Sequence, residues 1–124
     1  MHPIHLDSCF LITALTDRTQ LLRLERLAGS RQPIRMSAVA WYEFARGPRR
    51  PEQLAVARTF LLDQGVIPFT EDLAEAVAQL FRQLGPPRRR SADIAIAVTA
   101  IACGAKLLTL NPADFKDIPG LELL

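Results

Sequence analysis

Four short apolar runs, Ile4–Leu6, Pro33–Met36, Gly65–Pro68 and Lys106–Thr109, are separated by segments with helical patterning. That alternation constrains the fold more than any other feature. Short apolar strands that take turns with helices build a parallel sheet covered on both faces. Such sheets bind ligands beyond the carboxyl ends of their strands. The expectation is an α/β domain whose chemistry gathers at one sheet edge.

The helical segments carry their own punctuation. Asp7-Ser8 closes the first run, and an apolar helix continues from Cys9 to Leu15. Thr16 or Asp17 can cap a second helix, with Leu21, Leu24 and Leu27-Ala28 on one stripe and Gly29 as its stop. Ser37 is placed to cap a helix reaching Arg46, which Gly47 and Pro48 end. Pro51 starts another that runs to about Asp63. Thr70 caps a helix with Glu71 and Asp72 in its first turn, and Gly85-Pro86-Pro87 stops it. Ser91 is expected to cap an apolar helix from Ala92 to Cys103. Asn111-Pro112 opens a turn or short helix, and Leu121–Leu123 can add an edge strand.

With 124 residues, no internal repeat and no long linker, the chain reads as a single domain over 1–124. Hydrophobic residues make up 49%, enough for a core without disulfides. Cys9 and Cys103 sit in apolar runs with no second Cys or His at ligand spacing. They read as buried free thiols in a reducing compartment, and zinc has no support. Asp7 interrupts the first apolar run, no basic leader precedes it, and no other run is long enough for a bilayer. The expectation is a soluble, cytoplasmic protein with no membrane partner. Net charge is +2, yet all but two of the 15 basic residues are arginine. A polyanionic partner and a GC-rich coding bias account for that equally well.

Four carboxylates stand out. Asp7 follows the first strand, where capping the next helix would also explain it. Glu43 shares a helix face with Val39 and Ala40, with Arg46 in ion-pair range one turn on. Asp93 is the sole acid in the most apolar helix and lies in its first turn. Asp114 falls just inside the turn opened by Asn111-Pro112. Each has a structural explanation alone. Together, three of the four sit where strand ends or helix starts face the carboxyl edge. Crowded carboxylates repel unless a cation joins them. An all-oxygen set selects Mg2+ or Mn2+, ions that can drive phosphodiester hydrolysis.

The chain resembles the PIN-domain nucleases, especially the VapC-type toxins of toxin–antitoxin pairs. The resemblance rests on four motifs in order: His5-Leu6-Asp7-Ser8, Ser37 through Glu43 to Gly47, Asp93-Ile94-Ala95-Ile96-Ala97, and Thr109-Leu110-Asn111-Pro112-Ala113-Asp114-Phe115. It implies a PIN-like three-layer α/β/α sandwich around a short parallel sheet of four to five strands. It also implies a Mg2+-dependent (or Mn2+-dependent) endoribonuclease that dimerises and is silenced by a cognate antitoxin. Asp7, Glu43, Asp93 and Asp114 would form the catalytic, metal-binding set, with Asp7 and Asp93 the direct ligands. Ser8, Thr109 and Asn111 would support them. Cys9 and Phe44 depart from the usual pattern, and neither is expected to touch the acids. His5, on the strand face of Asp7, is expected to be a hydrogen-bonded strand histidine with no catalytic part.

Arg46, Arg49 and Arg50 form one basic cluster and Arg88, Arg89 and Arg90 another, both candidates for gripping RNA phosphates. Aromatic residues are few, so base stacking is not evident. The alternatives are a housekeeping PIN nuclease or an inactive PIN-like interaction module. The residues speak against a phospho-acceptor signalling domain, because no acidic pair precedes Asp7 and the third strand ends in Pro68-Phe69 with no Asp.

Overall fold

The computed structural model describes residues 2–61 and 64–124. Strand β1 (Ile4–Leu6) is central and buried along its length. β2 (Ile34–Ser37) and β4 (Lys106–Leu108) flank it, while β3 (Val66–Ile67) and β5 (Glu122–Leu123) form the edges. The sheet order is β3-β2-β1-β4-β5, and every pairing is parallel. Ile4 stands opposite Ile34 on one side and Lys106 on the other, and Leu6 opposite Leu108.

The helices are α1 (Ser8–Ala14), α2 (Arg18–Ala28), α3 (Ala38–Ala45), α4 (Pro51–Phe60), α5 (Glu71–Gln83) and α6 (Ser91–Ala102). Asp17, Ser37 and Thr70 each accept a hydrogen bond from the backbone N–H three residues on, as their cap positions require. The α4 helix ends at Phe60, and the expected end near Asp63 lies outside the described residues. Every residue of α6 from Ile94 to Ala100 is buried, which is why this helix is apolar on all sides. It packs against α3 and α5. Gly104 then takes a φ of 63°, a left-handed turn that returns the chain into β4. Phe10, Phe44, Ile94 and Leu107 are fully buried, each contributing about 1.5–3 kcal/mol of apolar burial.

Ser91 departs from its expected role. It is the first residue of α6, fed directly by a 3-10 turn over Arg88–Arg90. Its hydroxyl donates back to the Arg88 carbonyl at 3.0 Å and so serves the preceding turn. Asn111 does stand before a 3-10 turn, Pro112–Phe115, but its side chain makes no capping bond. Among the described residues, no helix is long and apolar enough to cross a membrane.

The topology fixes where chemistry can occur. From β1 the chain builds β2 and β3 on one flank, then crosses to place β4 on the other. The crevice of such a reversal opens between the carboxyl ends of β1 and β4. Asp7 and Thr109 are the first residues past those two ends.

Candidate active site

Asp7 is 5% exposed and caps α1. Its Oδ1 accepts the Ser8 N–H at 2.9 Å. Its Oδ2 accepts the Thr109 hydroxyl at 2.7 Å and the Cys9 thiol at 3.2 Å. Capping and site-building are therefore done by one carboxylate. A buried negative charge persists when donors surround it, and here three do.

Ser8 extends the network. Its hydroxyl donates to Glu43 Oε1 at 3.1 Å and links the start of α1 to α3. Arg46 reaches Glu43 Oε2 at 4.0 Å, the weak limit of an ion pair. The backbone N–H of Asn111 donates to Thr109 Oγ1 at 3.1 Å, so Asn111 supports the network through its main chain.

Asp93 registers the other acids. Its carboxyl is pushed up to about 6, first by burial and then by the negative fields of Asp7, Asp114 and Glu43. Arg90 opposes this only in part. Acids from three other segments thus act on Asp93. Asp114 lies on the exposed side of the group. Among the described residues, no three His, Cys, Asp or Glu side chains close tightly around one point. The acids are neighbours through their fields, with Asp7 and Glu43 turned toward hydroxyl donors. The donor set is carboxylate oxygen throughout, which fits a hard divalent cation and not a soft one.

Three expectations are corrected. Cys9 does touch the acids, because a side chain two residues past a capping Asp curls back to the capped turn. Burial raises its thiol pKa, with the Asp7 charge adding to the rise. Both free thiols, Cys9 and Cys103, are only partly buried. His5 is 1% exposed, yet among the described residues neither ring nitrogen has a hydrogen-bond partner. Its register neighbours are Arg35 and Leu107, which leave the ring between a cation and an apolar chain. Burial first, then Arg35, lower its pKa to about 4.

The arginines differ in placement. Arg50, Arg88 and Arg89 are exposed. Arg46 lies over the Tyr42 ring at 5.4 Å, and Arg49 lies over Phe44 at 5.3 Å. Arg90 is bound to Asp117 through both guanidinium nitrogens, at 2.8 and 2.6 Å. Asp117 was not singled out from the sequence. Its partner is 27 residues away, and no local pattern announces the pair.

Comparison with known proteins agrees with this fold. A chain of the DNA-bound VapBC from Salmonella typhimurium superposes with a TM-score of 0.75 at 23% identity, covering 100% of this chain and 98% of that one. VapBC2 from Rickettsia felis, bound to a promoter DNA fragment, gives 0.73 at 23% identity, covering 98% and 96%. A toxin–antitoxin complex from Klebsiella pneumoniae gives 0.71 at 25% identity, covering 95% and 94%. No curated protein matches the sequence. The family model described as "PIN domain" matches residues 4–121, from the first strand to the approach of the last. With that match across nearly the whole chain, on a five-stranded parallel sandwich with its acids at the carboxyl edge, the chain belongs to the PIN-domain family.

Proposed function

We propose that this protein is the toxin of a toxin–antitoxin pair, a cytoplasmic endoribonuclease that depends on Mg2+ or Mn2+. The observation that carries the reading is the grouping of acids at the β1–β4 crevice of a PIN-domain sheet: Asp7 held by Ser8 and Thr109, Glu43 joined to it through Ser8, and Asp93 acted on by both and by Asp114. Such crowding destabilises a fold unless a cation offsets it. Asp7 and Asp93 would hold the ion directly, and Glu43 and Asp114 would complete the site. A bound divalent ion supplies Lewis acidity toward water and the scissile phosphodiester.

The chain's own residues do the rest. Thr109 and Ser8 fix the Asp7 and Glu43 carboxylates, so their oxygens need little reorganisation. Arg46, Arg49 and Arg50 and the exposed Arg88 and Arg89 would hold the RNA backbone by charge. The structural neighbours include a toxin–antitoxin complex, which supports an antitoxin protein as partner; a homodimer would be the working state.

The test is cleavage of single-stranded RNA by the purified chain, with Mg2+ and with EDTA, beside Asp7→Asn. The reading predicts cleavage that needs the ion and falls by at least about 100-fold in the variant. Equal cleavage by both proteins, or by native protein in EDTA, would sink it. Tight Mn2+ binding without any RNA cleavage would instead favour an interaction module.

A further inference from the structure

The Arg90 guanidinium bridges two segments that the sequence holds far apart. It makes two charge-assisted bonds to Asp117, at 2.8 and 2.6 Å. Its Nη2 also donates to the backbone carbonyl of Asp114 at 2.9 Å. Arg90 ends the 3-10 turn that leads into α6, three residues before Asp93. Asp114 and Asp117 belong to the Pro112–Phe115 turn and the residues just after it, anchored by Phe115 at 2% exposure. One side chain therefore ties the main chain beside one acid to the main chain of another.

We propose that Arg90 is a positioning residue: latched by Asp117, it sets the separation of Asp93 and Asp114 across the proposed ion site. The proposal rests on the ion reading above. A planar guanidinium suits this task, because its fork fixes direction as well as distance. Asp117 meets most of its charge, which distinguishes it from the exposed Arg88 and Arg89. The third bond, to the Asp114 carbonyl, makes the contact a brace on the backbone. A surface ion pair alone would not provide that brace.

A brace and a simple charge effect predict opposite signs for Arg90→Gln. If Arg90 acted only as a nearby cation, Arg90→Gln would deepen the negative potential and tighten cation binding. Asp117→Asn would then weaken it. If Arg90 is a brace, both variants loosen the same pair of acids and both weaken binding. The double variant is then no worse than the poorer single one, because the two share one interaction.

The experiment measures Mn2+ affinity by electron paramagnetic resonance and calorimetry on the full chain, with no substrate. Native, Asp7→Asn, Arg90→Gln, Arg90→Lys, Asp117→Asn and the double variant are compared, each with a thermal melt. The expected result is a loss of roughly 3–10-fold for Arg90→Gln and Asp117→Asn, in line with residues that orient ligands. Arg90→Lys should recover little, because an ammonium does not span the three acceptors. If Arg90→Gln fails to fold, Arg90→Lys decides instead: it keeps the charge, so a charge effect alone would leave binding at the native value and overturn the latch, whereas loss of the fork weakens it. Unchanged or tighter binding in Asp117→Asn, or in a folded Arg90→Gln, overturns the latch and leaves the ion site standing. Native protein without Mn2+ affinity, or an Asp7→Asn variant equal to native, overturns the ion reading and the latch with it.

Discussion

Thr109 donates its hydroxyl hydrogen to Asp7 Oδ2 at 2.7 Å across a sequence separation of 102 residues. The bond spans the crevice between β1 and β4, where the topology reverses. It leaves Asp7 Oδ1 to the Ser8 N–H, so both oxygens are directed. Thr109→Val keeps the shape and removes the donor. Cleavage with Mg2+ is expected to fall about 10–100-fold while folding is little changed, and Thr109→Ser should restore most of it. Native rates in Thr109→Val would show that Asp7 needs no such orientation.

Arg88 and Arg89 are exposed in the turn that precedes α6, the helix carrying Asp93, whereas Arg90 is committed to Asp117. If the first two meet phosphate, replacing both with Gln removes two counterion-releasing contacts. The slope of log affinity against log salt for single-stranded RNA should then flatten by about 1.4. Fluorescence anisotropy on an uncleavable RNA over a salt series measures it. A slope equal to the native one would remove these two residues from the binding surface.

Much of this was legible in the sequence because it is local. Strand and helix alternation, the caps at Asp17, Ser37 and Thr70, and the buried α6 are each written within a few neighbouring residues. Asp7, Glu43, Asp93 and Asp114 could be proposed together from sequence because strand ends and helix starts share one edge of a parallel sheet. What escaped depends on side-chain geometry. The Arg90–Asp117 pair has no spacing rule to reveal it. The Cys9–Asp7 contact depends on a rotamer, and the lack of partners for His5 among the described residues depends on which groups pack above the sheet. Ser91 illustrates a subtler limit: the residue type suits a cap, but a 3-10 turn already occupies that place.

Asp93 is expected to cost the ion-free protein stability. Its folded carboxyl sits near 6, above the usual carboxylate value, so ionising it at neutral pH works against folding. Asp93→Asn removes that burden. In EDTA at pH 7.5 the variant should gain on the order of 1–2 kcal/mol after solvent screening, read from urea unfolding. With saturating Mg2+ the order should reverse, because native protein gains the binding energy and the variant does not. A variant less stable than native in EDTA would mean that Asp93 has structural partners the crowding argument omits.

His5 and Asp93 act in opposite directions over overlapping pH ranges. The His5 ring is held near 4 in the folded state, below the ordinary 6.5. The unfolded chain therefore takes up that proton first, and stability is lost as pH falls from about 6.5 toward 4, by up to about 3 kcal/mol. Asp93 is raised from 3.8 to about 6, so its folded form takes up a proton first and stability is regained as pH falls through 6. The two contributions offset each other, and the ion-free native profile between pH 4 and 6.5 should be shallow. His5→Leu removes one side of the balance, and its stability should rise on acidification where native stability does not. It should also gain about 1–3 kcal/mol at pH 7, since two buried ring nitrogens without partners among the described residues are replaced by an apolar chain. Asp93→Asn removes the other side and should lose stability more steeply than native over the same range. Urea unfolding in EDTA at half-unit pH steps distinguishes the three proteins. Parallel native and His5→Leu profiles would mean that the ring finds a proton partner in the folded state.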